Sequence, residues 1–275
     1  MIVFEGNNRV VFGENTLSEL EFSIYQKKMN SPLAYQYDSL GTLLFELDMR
    51  TQIVESSRAL SKSGVYFAGF DNTQCNPAYW HLTNHGRYQL KPGVAPQDAI
   101  RDIFKNGTSY AFECSMAVVI IMYKAILESI DARQFDILFS DLLLFDWHSN
   151  SNLHLIDRDV IEEAVSGDII YFENPEYEPT IPWGKGENVI MMENDHYYGH
   201  GYGLDLASEQ QVIMILNKHR MPGSTQSAFR TDRFVHPDFS YFSLFQSSKR
   251  RQPIIAKVGE AIYVQQGWTQ PKSGR

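Results

Sequence analysis

The segment that most restricts the fold is 114–127, CSMAVVIIMYKAIL, in which Lys124 is the single charged residue. Its β-branched residues would suit a strand. The run is longer than an ordinary strand, however, and its Ala and Met content favours a helix. Apolar on every side, such a helix is expected to be buried nearly all round. A chain of 275 residues is long enough to bury a full core around it.

The flanking sequence predicts helices and short strands in alternation. Residues 38–62 read as a helix with Ser39 as N-cap, apolar Leu40, Leu43, Leu44, Leu47, Ile53 and Leu60, and Gly64 just past its end. A short strand is expected at 65–70 and a loop or loosely paired region at 71–93. Pro96 opens a helix that Gly107 should stop. Strands follow at 142–147 and 168–172, then a hairpin over 187–201 turning at Glu193-Asn194. Ser208 and Gln211 form a capping box for a helix of about three turns ending near Arg220. No internal repeat or low-complexity segment interrupts this pattern. After residue 248 the character changes: Lys249, Arg250, Arg251, Lys257, Lys272 and Arg275 face the single acid Glu260, although the whole chain carries −9. This tail, 249–275, reads as a basic, solvated C-terminal extension with a strand near 254–262.

Composition excludes several classes of function. With 43% hydrophobic and 21% charged residues the chain is that of a folded globular protein. A net charge of −9 and a pI near 5.4 argue against binding nucleic acid, which needs a dense basic surface. The start, MIVFEGNNRVVFGENTL, lacks a basic region followed by an apolar run, and no stretch approaches a membrane span. The expectation is a soluble chain, not a membrane partner, that stays inside the cell making it. The two cysteines, Cys75 and Cys114, make neither a disulfide framework nor a Cys-x-x-Cys motif, which fits a reduced compartment. A bridge between them stays open as an alternative, and it would consume the more interesting of the two.

That one is Cys114, placed with Glu113 where a loop enters the apolar helix. A cysteine at a helix N-terminus feels the positive end of the macrodipole, which stabilises thiolate, and the same amides could hold an oxyanion. A free cysteine is more often a small buried hydrophobe, so the position needs partners. The hairpin offers them: a two-residue turn at Glu193-Asn194 would set Glu187 opposite His200, with Cβ atoms about 4.5–5.5 Å apart. A carboxylate beside an imidazole and near a thiol can shuttle protons, although without Cys114 the pair would be incidental. His81 and His85 flank a turn, and His196 and His200 have no third ligand in view, so no metal is expected. Asn106-Gly-Thr108 is a sequon without a secretion signal, and no Walker loop, dinucleotide fingerprint or EF-hand loop occurs, so no cofactor is expected.

The order Cys114, Gly167-Asp168-Ile-Ile-Tyr-Phe172, then a hairpin ending in His200-Gly201, resembles the core of the papain-like NlpC/P60 superfamily. Where that superfamily begins its second strand with a catalytic His, this chain has Glu187. The substitution departs from a plain peptidase and is similar to the spore-coat transglutaminases of spore-forming bacilli. The likeness spans most of 35–230 and includes Glu113-Cys114, Leu144-Phe-Asp-Trp147, Tyr171-Phe-Glu-Asn-Pro175, Trp183, Gly186-Glu-Asn-Val189 and Gly199-His-Gly-Tyr-Gly203. The first thirty-odd residues and those after Asp238 carry little of it.

The resemblance implies an α+β papain-like fold with a central buried helix on an antiparallel sheet. It implies a single catalytic domain over 1–248, its core at about 96–220, followed by the extension. It implies Cys114 as nucleophile, Glu187 as general base and acid, and Glu113 and His200 as supporting groups. Trp147 and Trp183 would wall the substrate approach, and core packing or interface rings are the competing account of both. The implied activity is calcium-independent cross-linking of glutamine to lysine side chains of spore coat proteins, in the mother cell and then on the coat. Two alternatives stand beside it: a cysteine peptidase or amidase acting on cell-wall peptides, and a non-catalytic structural coat protein.

Overall fold

A computed structural model of the protein describes residues 1–4, 9–13, 15–147, 150–246, 253–259 and 261–265. The apolar run is the helix Cys114–Ser129, in which only Lys124 and Glu128 escape full burial, joined to each other by an i,i+4 ion pair of 2.6 Å. It packs along the helix Leu40–Lys62, which Ser39 caps by accepting the Thr42 amide at 3.1 Å.

On its other side lies a six-stranded sheet. Its order is Ala207–Ser208, His196–Gly199, Gly186–Met191, Ile169–Glu173, Phe229–Pro237 and Leu155–Arg158, with every neighbouring pair antiparallel. Strand alternation sends Ile169, Ile190, Tyr198 and Val235 into the core with the central helix. Ile170, Phe172, Val189, Met191 and Phe234 face the other way, under Val212 and Leu216 of the helix Glu209–Asn217. Two apolar faces on one sheet, each covered by helix, explain why Ile169-Ile170 and Val189-Ile190-Met191 are unbroken apolar runs with little alternation.

The Gly167-Asp168 step before the Ile169–Glu173 strand has a structural reason. Gly167 adopts φ +91°, and a Cβ there would press on the Arg50 backbone at 3.3 Å, so glycine permits this close approach of turn to helix. Asp168 then reaches Arg50 at 2.7 Å, Arg50 pairs with Glu46 at 2.7 Å, and Glu46 with Lys28 at 2.6 Å. All four are buried, and the Tyr37 hydroxyl donates to the remaining Glu46 oxygen at 2.7 Å. This chain of charges ties the helix Glu19–Asn30 to the Leu40–Lys62 helix and to the sheet.

Several expected elements are shorter or differently built. The strand expected at 65–70 is Tyr66–Phe67, parallel to Ala111–Phe112 just before Cys114. Residues 71–93 contain a small hairpin, Trp80–Leu82 with Tyr88–Leu90, and of 142–147 only Leu143–Leu144 joins it, leaving Trp147 in the following turn. The Ser208–Gln211 capping box forms, but its helix ends at Asn217. The helix Glu19–Asn30, opened by a Ser18–Glu21 capping box, was not anticipated. Residues Ile254–Val258 and Ala261–Gln265 make a hairpin whose second strand pairs in parallel with Arg9–Phe12. Val264 is buried there with Ile2, Phe4, Ile24, Leu43 and Leu47, so the second strand anchors this part of the tail, while the strand Ile254–Val258 is exposed along its length, as expected of a solvated extension. Lys249, Arg250, Arg251, Glu260, Lys272 and Arg275 lie outside the described residues.

Candidate active site

Cys114 stands at the first position of the central helix, 9% exposed, at the floor of a cleft of about 1260 Å³. Glu113 is the N-cap: its carboxylate accepts the amides of Ser115 at 2.7 Å and Met116 at 2.8 Å, and the Ser115 hydroxyl at 2.5 Å. These bonds correct one expectation. The Ser115 and Met116 amides are spent on the cap and are not free to hold an oxyanion. The Cys114 amide is the one of the first turn for which no acceptor is found among the described residues.

The hairpin register is also shifted by one residue from the expected one. The turn contains Glu193, Asn194 and Asp195, with Asn194 and Asp195 both at positive φ, conformations that Asn and Asp tolerate better than most residues. Pairing therefore runs Val189↔Gly199, Ile190↔Tyr198 and Met191↔Tyr197, and Glu187 does not sit opposite His200. A slip of one exchanges the faces of the strand. It turns Asn188, with Ile190, toward the central helix.

What brings Glu187 to Cys114 is the end of the ladder. Met192 donates its amide across the hairpin to His196, and two and four positions earlier Ile190 and Asn188 point the same way. Beyond Gly199 the partner strand has ended. The Asn188 amide is thus released to Cys114, and the Asn188 side chain adds a second donor, Nδ2 to Sγ at 3.4 Å. The Glu187 carboxyl lies against the same thiol.

The electrostatics follow from this burial. Desolvation pushes the Cys114 thiol well up, and the nearby Glu187 and Glu113 carboxyls push it further, while the two Asn188 donors pull it down. Burial likewise raises Glu187, reinforced by Glu113 and opposed by the Cys114 thiol and the His200 backbone amide. Each group therefore binds a proton more tightly than it would in water, and one buried Glu187 oxygen, Oε1, has no hydrogen-bond partner among the described residues.

His200 does something else. Its Nε2 lies 3.3 Å from the Tyr66 carbonyl and its ring packs on Phe112 with centroids 4.8 Å apart. Burial lowers it to about 4, against the Tyr66 and Phe112 carbonyls, so the ring is neutral. It braces the paired strands that deliver Cys114, and it meets Glu187 through its backbone.

Both tryptophans line the cleft. Trp183 is 45% exposed on the turn Pro182–Lys185, whereas Trp147 is half-buried, packs against the central core and donates Nε1–H to Asn188 Oδ1 at 2.9 Å. Trp147 thus serves as wall and as core at once. Phe67, Tyr202, Tyr171 and Val235 complete a mostly apolar lining. Among the described residues no cluster of three metal-ligating side chains occurs, and the His196 ring is engaged with the Asn194 carbonyl at 2.8 Å. Asn188 is the site residue that the sequence reading passed over. Its signal was a lone amide beside Ile190 on the helix-facing parity of its strand, legible as such only once the register is right.

A cysteine entering a buried helix, opposed by a carboxyl on an antiparallel sheet in an α+β fold, defines a papain-like cysteine enzyme. A model of the protein-glutamine gamma-glutamyltransferase family matches residues 1–246. A protein-glutamine gamma-glutamyltransferase of Halalkalibacterium halodurans is 40% identical over 210 residues, 76% of this chain and 73% of its own. One from Bacillus cereus is 39% identical over 225 residues, 82% and 80% of the two chains. A solved transglutaminase from Geobacillus stearothermophilus, without its C-terminal extension, superposes with a TM-score of 0.74 at 40% identity, covering 77% of this chain and all of that one. The chain belongs to the protein-glutamine gamma-glutamyltransferase family. The match also takes in the first thirty residues and those from Phe239 to Gln246, where motifs alone showed little likeness.

Proposed function

We propose that this transglutaminase joins glutamine and lysine side chains of spore coat proteins through a Cys114 thioester, releasing ammonia, with Glu187 as its acid and base and without calcium. The observation that carries the reading is the Glu187 carboxyl set against the buried Cys114 thiol at the cleft floor.

In acylation the thiol proton passes to Glu187 as Sγ attacks the glutamine carboxamide carbon and the C=O electron pair moves onto oxygen. When that pair returns, the C–N bond breaks and Glu187 gives its proton to the nitrogen, which leaves as ammonia. The lysine amine, having lost one proton to solvent, attacks the thioester and passes a second to Glu187. Expulsion of the thiolate, reprotonated by Glu187, restores the site. Raised affinity for protons on both groups suits a partner that must carry a proton in half of these steps. Glu113 caps the nucleophile's helix and His200 braces the strands behind it.

The apolar lining by Trp147, Trp183 and Phe67 suits an acyl-enzyme that must meet amine before water. A Cys-His hydrolase is disfavoured, because the His200 ring is turned to Tyr66 and Phe112. No helix among the described residues is long and apolar enough to cross a membrane, which fits a role in the mother cell and then on the coat.

Incorporation of a fluorescent primary amine into a glutamine-rich protein, with chelator present, tests the proposal. Incorporation by the wild type and its loss in Cys114→Ala is the expected result. A folded wild type that incorporates nothing, or that releases product without needing an amine, would overturn it in favour of the hydrolase. Substrate identity is read by offering isolated coat proteins and mapping the isopeptides formed.

A further inference from the structure

We propose that Asn188 is a catalytic residue, stabilising negative charge on the Cys114 sulfur through two N–H donors, and that Trp147 positions it by fixing which way its amide faces. The proposal rests on the reading of Cys114 as nucleophile and gives a role to Asn188, which the Gly186-Glu-Asn-Val189 motif contains without assigning it one.

Three observations support it. First, the donors converge: the Asn188 side-chain Nδ2 is 3.4 Å from Sγ, and the backbone amide of the same residue reaches the same atom because the partner strand has ended at Gly199. Second, the orientation is determined chemically. An indole N–H can only donate, so the amide edge that faces Trp147 Nε1 at 2.9 Å must be the oxygen, which turns Nδ2 toward the sulfur. Third, the sulfur needs such donors. The titratable groups around it are Glu187 on its strand, Glu113 on its cap, Tyr171 on the next strand and Tyr202 beyond the hairpin. None of these four carries positive charge, the cations Lys185 and Arg233 belonging to the wider cleft lining, and the Ser115 and Met116 amides that would otherwise favour a thiolate are bound to Glu113.

Charge appears on sulfur twice in each turnover: as the thiol proton moves to Glu187, and when the thioester C–S bond breaks and its electron pair returns to Sγ. Donors held on the sulfur lower both barriers, while the S–H proton remains directed to Glu187. Asn188 is 8% exposed, so little water competes for these bonds.

The test reads the sulfur itself, without any protein substrate. Alkylation of Cys114 by iodoacetamide is followed as a function of pH by mass spectrometry of the Cys114 peptide, in the wild type, Asn188→Ala, Asn188→Asp and Trp147→Phe. The midpoint should move to higher pH in Asn188→Ala, with alkylation about tenfold slower below it, as expected for one lost hydrogen bond to a charged group. The plateau at high pH should not change, whereas a merely structural loss would alter access and hence the plateau. Asn188→Asp, nearly the same shape and therefore the safer variant to fold, should shift the midpoint further by adding a third carboxylate. Trp147→Phe, which keeps a ring on the cleft wall but loses the N–H, should shift it in the same direction by less. Midpoints that coincide with the wild type in Asn188→Ala and Asn188→Asp would overturn the proposal, and an unmoved Trp147→Phe would overturn the positioning role. Amine incorporation run in parallel keeps the two readings apart: its absence in the wild type counts against the transglutaminase assignment, while the alkylation profiles still decide Asn188.

Discussion

At the scale of single residues, the site combines a buried thiol and a buried carboxyl, both of which desolvation makes bind a proton more tightly than they would in water. Glu187→Gln keeps size and removes the proton acceptor, so amine incorporation should fall by about 10²–10⁴-fold. Binding of a glutamine substrate, read as KM, should change much less. His200 gives a different prediction. Its pKa is about 4 in the folded protein and about 6.5 unfolded, so between these values the unfolded chain binds more protons. The neutral ring's contribution is present above about pH 6.5 and is lost as pH falls toward 4. In urea unfolding, His200→Gln should therefore show a shallower loss of stability between pH 6.5 and pH 4 than the wild type. Equal slopes would mean that His200 is not the buried neutral group described.

At the scale of elements, the start of the central helix serves two ends that conflict. The Glu113 carboxylate completes the helix cap, yet its charge makes a thiolate beside it harder to form. Glu113→Gln should keep part of the cap while removing that charge, so Cys114 should be alkylated faster at neutral pH with a small loss of melting temperature. Glu113→Ala should cost about 1 kcal/mol of stability as a lost cap. The ion chain Lys28–Glu46–Arg50–Asp168 is an element-level device of another sort. Replacing Arg50 by Met leaves Glu46 and Asp168 as buried carboxylates short of a cation, and should cost about 3–5 kcal/mol in denaturant unfolding.

At the scale of the whole molecule, cleft and extension lie in different packing units. Cys114, Asn188 and Trp147 belong with the central helix and sheet, whereas Val264 of the tail hairpin packs with Ile2, Phe4 and Leu43. Ending the chain after residue 248 exposes that cluster and leaves the Arg9–Phe12 strand without its partner. Melting temperature should drop by an amount matching about 2–3 kcal/mol of lost burial, with amine incorporation within about twofold of the full chain at low temperature. A large loss of activity in the still-folded truncation would show that the extension reaches the site. The Geobacillus transglutaminase, solved without its extension, keeps the shared fold, which accords with the expectation.

What the sequence determined by itself is what depends on local pattern. The length and the Ala and Met content of 114–127 favoured a buried helix over the strand its β-branched residues would suit, Ser39 and the Ser208–Gln211 pair read as caps, and Cys114 stood at the start of that helix. Tertiary structure decided the relations between elements. Hairpin register hinged on Asn194 and Asp195 both taking positive φ, a choice that side-chain alternation does not encode, and that one residue took His200 out of direct pairing with Glu187 and brought Asn188 to the sulfur. The helix amides were likewise legible as donors, but whether they met an oxyanion or the Glu113 carboxylate depended on one side-chain rotamer. The Lys28–Glu46–Arg50–Asp168 chain spans three separate elements, and a charge in sequence looks the same whether water or another charge will surround it.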